Sequence, residues 1–450
     1  MRKALLPLVA AGLASLVLAR PSPAAAVDDP LLKSESFTLA NGLRVVLHED
    51  HTTPTVTVVL RFHVGSKDEL PGRTGFAHLY EHLMFKGAAG AADGVMDRIL
   101  EEAGGWSTAF TGNDATVYID QAASNFLATV LWLEADRLGT LLDVFDQAKL
   151  DNQRDVVRNE RRQGVDNRPY GMAGVLVAEA LWPRTHGYHW PVIGSHEDLI
   201  AAKVDDVKAF FRNYYVPGNA TLVVAGDFQP AQARELVTRY LGKLAAGAPS
   251  KRPSYAVPPP IKKEIKLSAR DKVQVPRVYM AWRAPAQFSA EEPAVDLAAR
   301  VLGGGKASRL YRRLVYTDKL AQDVAAYYSP AELGGELDIV VTAKPGVAPE
   351  ALVQAVNDEL ARLAAKAPEA AELELAVNSR EAAALGELES MSSRAVLLSG
   401  YDVWLHDPTY LAKDLARFRA VTTDAVQRAV STWLPVSARV TLTISPQESK

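Results

Sequence analysis

Apolar and β-branched residues cluster in three short runs near the start of the chain, residues 37–39, 44–47 and 55–62, and predict strands. Apolar positions then recur at helical spacing over 76–85, 95–103, 126–139 and 147–163. Between these helices, residues 106–120 read as a hairpin turning near Gly112-Asn113. Strands that look antiparallel, mixed with helices, predict an α+β fold.

Every periodic pattern stops between Leu244 and Ile261, where Lys251-Arg252-Pro253 and Pro258-Pro259-Pro260 lie in small-residue sequence. That composition predicts a stiff linker. The chain repeats itself on its two sides. Val204-Asp205-Asp206-Val207 leads to Tyr215-Val216-Pro217 and an apolar run at 220–224; Thr423-Asp424-Ala425-Val426 leads likewise to Trp433-Leu434-Pro435 and a run at 438–442. Pro217 and Pro435 differ by 435 − 217 = 218, as do Asp206 and Asp424, and the same shift carries 76–87 onto 294–305. We therefore expect two homologous α+β domains, 27–245 and 262–450, each a mainly antiparallel sheet packed with helices, joined by a linker at 246–261.

The 450 residues exceed one ordinary domain of roughly 150. A net charge of −3 gives no electrostatic case for nucleic acid. Arg2 and Lys3 precede an apolar run from Ala4 to Ala19, followed by Pro21, Pro23 and Ala24-Ala25-Ala26. This predicts a signal peptide over 1–26 and a periplasmic protein, with no stable membrane span once the signal is cleaved. The chain has no cysteine, so no disulfide framework is available.

The densest chemistry lies in His78-Leu79-Tyr80-Glu81-His82. On a helix, the i, i+4 spacing sets both imidazoles on one face, where they can share a metal, and Glu81 stands close enough to handle a proton on water. Under the 218-residue shift, His78, Glu81 and His82 fall opposite Asp296, Ala299 and Arg300. The helix therefore does not need its histidines to fold, which points to a functional role for them. A third ligand must come from elsewhere, and the best candidate is Glu160 in the charged stretch 156–163. His186 and His189 form the other histidine cluster; His48, His51, His63, His196 and His406 are isolated and read as surface or satisfied core residues.

The His-Leu-Tyr-Glu-His segment, with Gly75-Phe76-Ala77 before it, Leu83-Met84-Phe85-Lys86-Gly87 after it and Asn159-Glu160-Arg161-Arg162-Gln163 further on, resembles the pitrilysin/insulinase family of zinc peptidases, the inverzincins. The resemblance extends from Leu39-Ala40-Asn41-Gly42-Leu43 to the carboxy-terminal strand. It implies one Zn2+ per chain held by His78, His82 and Glu160, with Glu81 as the catalytic base. It implies that Thr108, Ala109 and Phe110 lie on an edge strand that pairs with a peptide substrate, although Thr108 replaces a common asparagine. Gln153 stands where many relatives carry a glutamate behind the metal ligands, and 186–191 matches a loop without a ligand role.

Active members also draw an arginine and a tyrosine from a carboxy-terminal half. Here Val315 and Gln322 occupy those positions, with Arg312, Arg313, Tyr316 and Tyr327 nearby. A chain of this length corresponds to half of a clamshell. The resemblance thus implies a zinc metalloendopeptidase for unfolded peptides or small proteins, acting as the metal-bearing subunit of a heterodimer whose related partner supplies the missing pair. The alternative is a non-catalytic assembly or scaffold subunit of the same fold.

Overall fold

The computed structural model describes residues 32–447; the expected signal segment lies outside them. No helix among the described residues is long and apolar enough to cross a membrane. The fold is α+β, with two sheets packed by helices. The first sheet has six strands: β1 (Glu35–Thr38), β2 (Arg44–Glu49), β3 (Thr55–Phe62), β4 (Trp106–Thr111), β5 (Thr116–Ala123) and β6 (Ala220–Gly226), in the order β1-β2-β6-β3-β5-β4. The second has five: β7 (Ile265–Asp271), β8 (Arg277–Ala284), β9 (Ala321–Ser329), β10 (Gly335–Ala343) and β11 (Val440–Pro446), in the order β7-β11-β8-β10-β9.

Without β1, the two sheets have the same topology. One parallel pair, β2 with β6 or β7 with β11, borders an otherwise antiparallel run. β4 and β9 end up as the corresponding edges. The expected hairpin is β4–β5, closed where the Gly112 amide donates to the Ala115 carbonyl at 2.8 Å. Residues 245–264 carry no regular element.

Helices of the first half include α1 (Phe76–Leu83), α2 (Val95–Glu102), α3 (Leu127–Val144), α4 (Gln147–Arg161) and α5 (Ala173–Leu181). α3 runs past Gly139, where the sequence pattern had suggested an end. A Cβ at Gly139 would lie 2.9 Å from Leu244, so the missing side chain makes room for the start of the interdomain segment. α4 continues into a wider π-type turn at Arg162–Asp166.

Each sheet buries one face against its own half and the other against a helix from the opposite half. Val45, Val58, Leu60 and Leu222 of the first sheet pack with Leu79, Tyr80 and Leu83 of α1. On the reverse face Val46, Val59, Val117 and Val223 pack with Ala395, Leu398 and Tyr401 of the second half's helix Met391–Leu405. Reciprocally, Ala173, Val177 and Leu181 of α5 lie in one cluster with Ala281, Val440 and Leu442 of the second sheet. A buried charge pins the first exchange: Asp402 accepts from Arg44 Nε at 2.8 Å and from Thr221 Oγ1 at 2.8 Å.

Candidate metal centre and substrate edge

α1 is held at its amino-terminal end and on its inner face by groups from other segments. Gly75 and Gly194 approach so closely that a Cβ on Gly194 would fall 2.5 Å from the Gly75 Cα, and both have positive φ (+86° and +72°), which glycine alone adopts freely. The buried carboxylate of Glu69 accepts from the Gly75 amide at 2.9 Å and the Ala77 amide at 2.8 Å, capping the first turn. On the inner face of α1, the Tyr80 hydroxyl donates to the Val207 carbonyl. These contacts fix the rotation of the helix and hence the direction of its histidines.

His78 and His82 project from one face, with ring centroids 4.8 Å apart and nearly perpendicular planes. α4 packs beside α1 and brings Glu160 to them: its carboxylate oxygens lie 3.7 Å from His78 Nε2 and 3.3 Å from His82 Nε2. One ligand atom from each of the three residues lies within 4.8 Å of the others, the one such group found among the described residues. His186 and His189 belong to no such group: His186 stacks on Trp182, and His189 Nδ1 bonds the Trp182 carbonyl at 2.8 Å.

Two imidazoles and a carboxylate form a donor set of the kind that catalytic zinc uses. A tetrahedral ion with bonds of about 2.1 Å separates its ligand atoms by roughly 3.4 Å, near the two distances to Glu160. Burial, and then the neighbouring His82, pull the His78 pKa down to about 4, so the ring is neutral and its lone pair free. Burial also lowers the His82 pKa, against the opposing pull of Glu160. The residues therefore fit a zinc ion. Behind them, Gln153 is buried and its side chain acts to raise the His82 pKa, whereas His78 Nδ1 is buried without a partner.

Glu81 faces the other side of the histidine pair, toward β4. Thr111 Oγ1 donates to its Oε2 at 2.6 Å, while burial raises the carboxyl pKa above its ordinary value. Thr111 and Glu69 were not singled out from sequence. The alternation along β4 could have found Thr111, since Ser107, Ala109 and Thr111 share the face toward α1.

Among the described residues β4 is a free edge, paired only with β5. Thr108 and Phe110 are exposed on the opposite face from Ala109, which is half-buried. A cavity of about 530 Å³ lies where the edge meets the centre, lined by Glu81, His82, Trp106, Thr108 and Ala109. In the second half, Val315 is partly buried against its own core and Gln322 is exposed on β9.

Residues 44–183 match the family model described as insulinase (peptidase family M16), and residues 201–380 match that of the peptidase M16 inactive domain. The zinc protease PqqE of Helicobacter pylori is 31% identical over 398 residues, covering 87% of this chain and 88% of that protein. A crystal structure of a protease from Helicobacter pylori superposes with a TM-score of 0.86 at 28% identity, over 92% of this chain and 99% of that one. The first half of the periplasmic protease PqqL from Escherichia coli shares the fold, with a TM-score of 0.75 at 19% identity over 92% of each chain.

Proposed function

The chain belongs to the insulinase family, peptidase family M16, and from that premise we propose that it is a zinc-dependent endopeptidase of the inverzincin type, hydrolysing unfolded peptides or small proteins. The observation that carries this reading is the convergence of His78, His82 and Glu160, with Glu81 beside them, at the end of an unpaired sheet edge. Zinc bound by the three residues would supply a Lewis acid that polarises the scissile carbonyl and acidifies water.

The chain's own groups do the rest. The free amide and carbonyl groups of β4 receive the substrate as an added strand, with Thr108, Ala109 and Phe110 alongside it. Glu81 accepts a proton from the attacking water and hands it to the leaving amine. Thr111 fixes the orientation of that carboxylate, and the Gln153 side chain lies behind the His82 ring.

Val315 and Gln322 offer neither the charge nor the hydroxyl that the resemblance leads us to expect from the second half. We assign those groups to a related partner subunit, and the chain to the metal-bearing side of a heterodimer. The sequence division 27–245, 246–261 and 262–450 belongs to the same reading. So does export to the periplasm, the compartment of the Escherichia coli protease PqqL. The same missing pair favours one rival, a non-catalytic scaffold subunit.

Zinc content and hydrolysis of a fluorogenic peptide library, measured on the chain alone and with a related subunit, separate the two. The endopeptidase predicts one zinc per chain and hydrolysis that rises with the partner. A zinc-bearing chain inactive toward every peptide, even with the partner, supports the scaffold.

A further inference from the structure

The reverse face of the first sheet carries a second cavity, of about 660 Å³, between β3–β5 and the exchanged helix Met391–Leu405. Phe110, Phe288, Val396 and Trp404 give it apolar walls drawn from both halves. Its one cationic lining residue is Arg61, which is only 9% exposed. Arg61 Nε donates to Ser399 Oγ at 2.9 Å and Nη2 to the Val396 carbonyl at 3.2 Å. Both acceptors are neutral, and no carboxylate pairs with the guanidinium among the described residues. Burial alone pulls its pKa down to about 10. The third nitrogen, Nη1, makes no hydrogen bond among the described residues, yet it is not sealed from solvent. A buried guanidinium without a counter-charge is costly, and an incoming anion offsets that cost.

Two carboxylates also border this cavity, Asp114 and Glu387. Asp114 is committed elsewhere, accepting from the Tyr188 hydroxyl at 2.6 Å and the Glu332 amide at 2.9 Å. Glu387 is exposed. Neither neutralises Arg61.

The cavity adjoins the reaction centre through one strand. Phe110 lines it on the reverse face, and the next residue, Thr111, holds Glu81 on the other. Successive residues of an added strand point to opposite faces and advance by roughly 3.3 Å each. A peptide paired on β4 with its scissile bond near Glu81 therefore sends a side chain, or its own terminus, over this cavity within a few residues of the cut.

We propose that the cavity between the halves is a substrate subsite for a carboxylate, which Arg61 Nη1 receives within apolar walls. The carboxylate is an acidic side chain of the bound peptide or its carboxy terminus. This subsite rests on the reading of β4 as the substrate strand, and it gives the enzyme a preference at a fixed distance from the cut.

The test uses binding, so that it does not depend on turnover. Full-length Glu81→Gln chain loaded with zinc is titrated with fluorescent peptides that carry an acidic residue and a free carboxy terminus. Matched peptides replace the residue by glutamine or the terminus by an amide. One carboxylate is expected to tighten binding by roughly tenfold, the worth of one charge-assisted hydrogen bond, and the peptide that loses this gain identifies the source. Arg61→Met added to the Glu81→Gln chain should erase the gain while binding the neutral peptides as before, and Arg61→Lys should keep part of it. Thermal melting checks that Arg61→Met folds; should it not, the Arg61→Lys series decides, by a reduced gain or an unchanged one. A gain that is absent, or that survives without Arg61, overturns the proposal. If no peptide binds, the substrate role of β4 fails and this subsite falls with it.

Discussion

The two halves share a strand topology yet fill the same helix positions with opposite chemistry. In the first, His78 and His82 turn their Nε2 atoms toward the Glu160 carboxylate, at 3.7 and 3.3 Å. In the second, the helix Glu292–Gly303 carries Asp296 and Arg300 at the corresponding places, joined at 3.1 Å. The helix Ala370–Glu387, which takes the place of α4 in the order of elements, contributes Arg380, 3.8 Å from Asp296 and 3.5 Å from Asp414. Arg417 extends the cluster to Asp414 and Glu292. One scaffold therefore supports either an open donor set or a self-neutralising ion network. The network closes on itself, so its charges are satisfied within the fold; the donor set leaves a centre that asks for a cation.

Moving residues between the halves tests that contrast most severely. His82→Arg, which installs the second half's residue in the first, should abolish zinc binding and hydrolysis together, as read by bound metal and peptide turnover. Zinc retained at one per chain would show that the donor set is not where we place it. Glu81→Gln should lower turnover by about 10²–10⁴-fold with zinc content unchanged, because it removes a proton carrier and no ligand.

Stability should respond in the opposite sense. Asp296→Ala strands Arg300 in a half-buried setting and leaves Arg380 with Asp414 alone, for a loss of about 3 kcal/mol in denaturant unfolding with zinc content unaltered. His78→Ala in the metal-free chain leaves no unpaired charge and should lose clearly less; the reverse order would break the comparison. At the small end, Thr111→Val should reduce turnover by about tenfold through a lost hydrogen bond to Glu81. Gln153→Glu, which charges the group behind His82, should tighten zinc severalfold in a competitive chelator titration.

Much of the first half's centre was legible in the sequence because its signals are local. α1 and α4 show helical spacing, and the β4–β5 turn announces itself through Gly112-Asn113. The α+β class followed from the same patterns, and the 218-residue offset anticipated that the second sheet would repeat the topology of the first. Glu160 was the best candidate for a third ligand on residue type, but its convergence on the histidines was decided by family resemblance, since the spacing of 78 residues says nothing about approach. The exchange of helices was not legible. The apolar stripes of α5 and of residues 391–405 state that each helix is buried, but not against which sheet. The same holds for Arg61, whose position on a strand gives no sign that the opposite half will enclose it.

That exchange makes the two sheets mechanically interdependent. Neither half holds a complete set of coverings for its own sheet: cutting the chain within 246–261 leaves each fragment without a helix that the other carries. A lone first half would present Val46, Val59, Val117 and Val223 to water, a sticky surface that invites aggregation. The duplication thus behaves as a clasp, and the molecule should melt as one body rather than as two beads on a string.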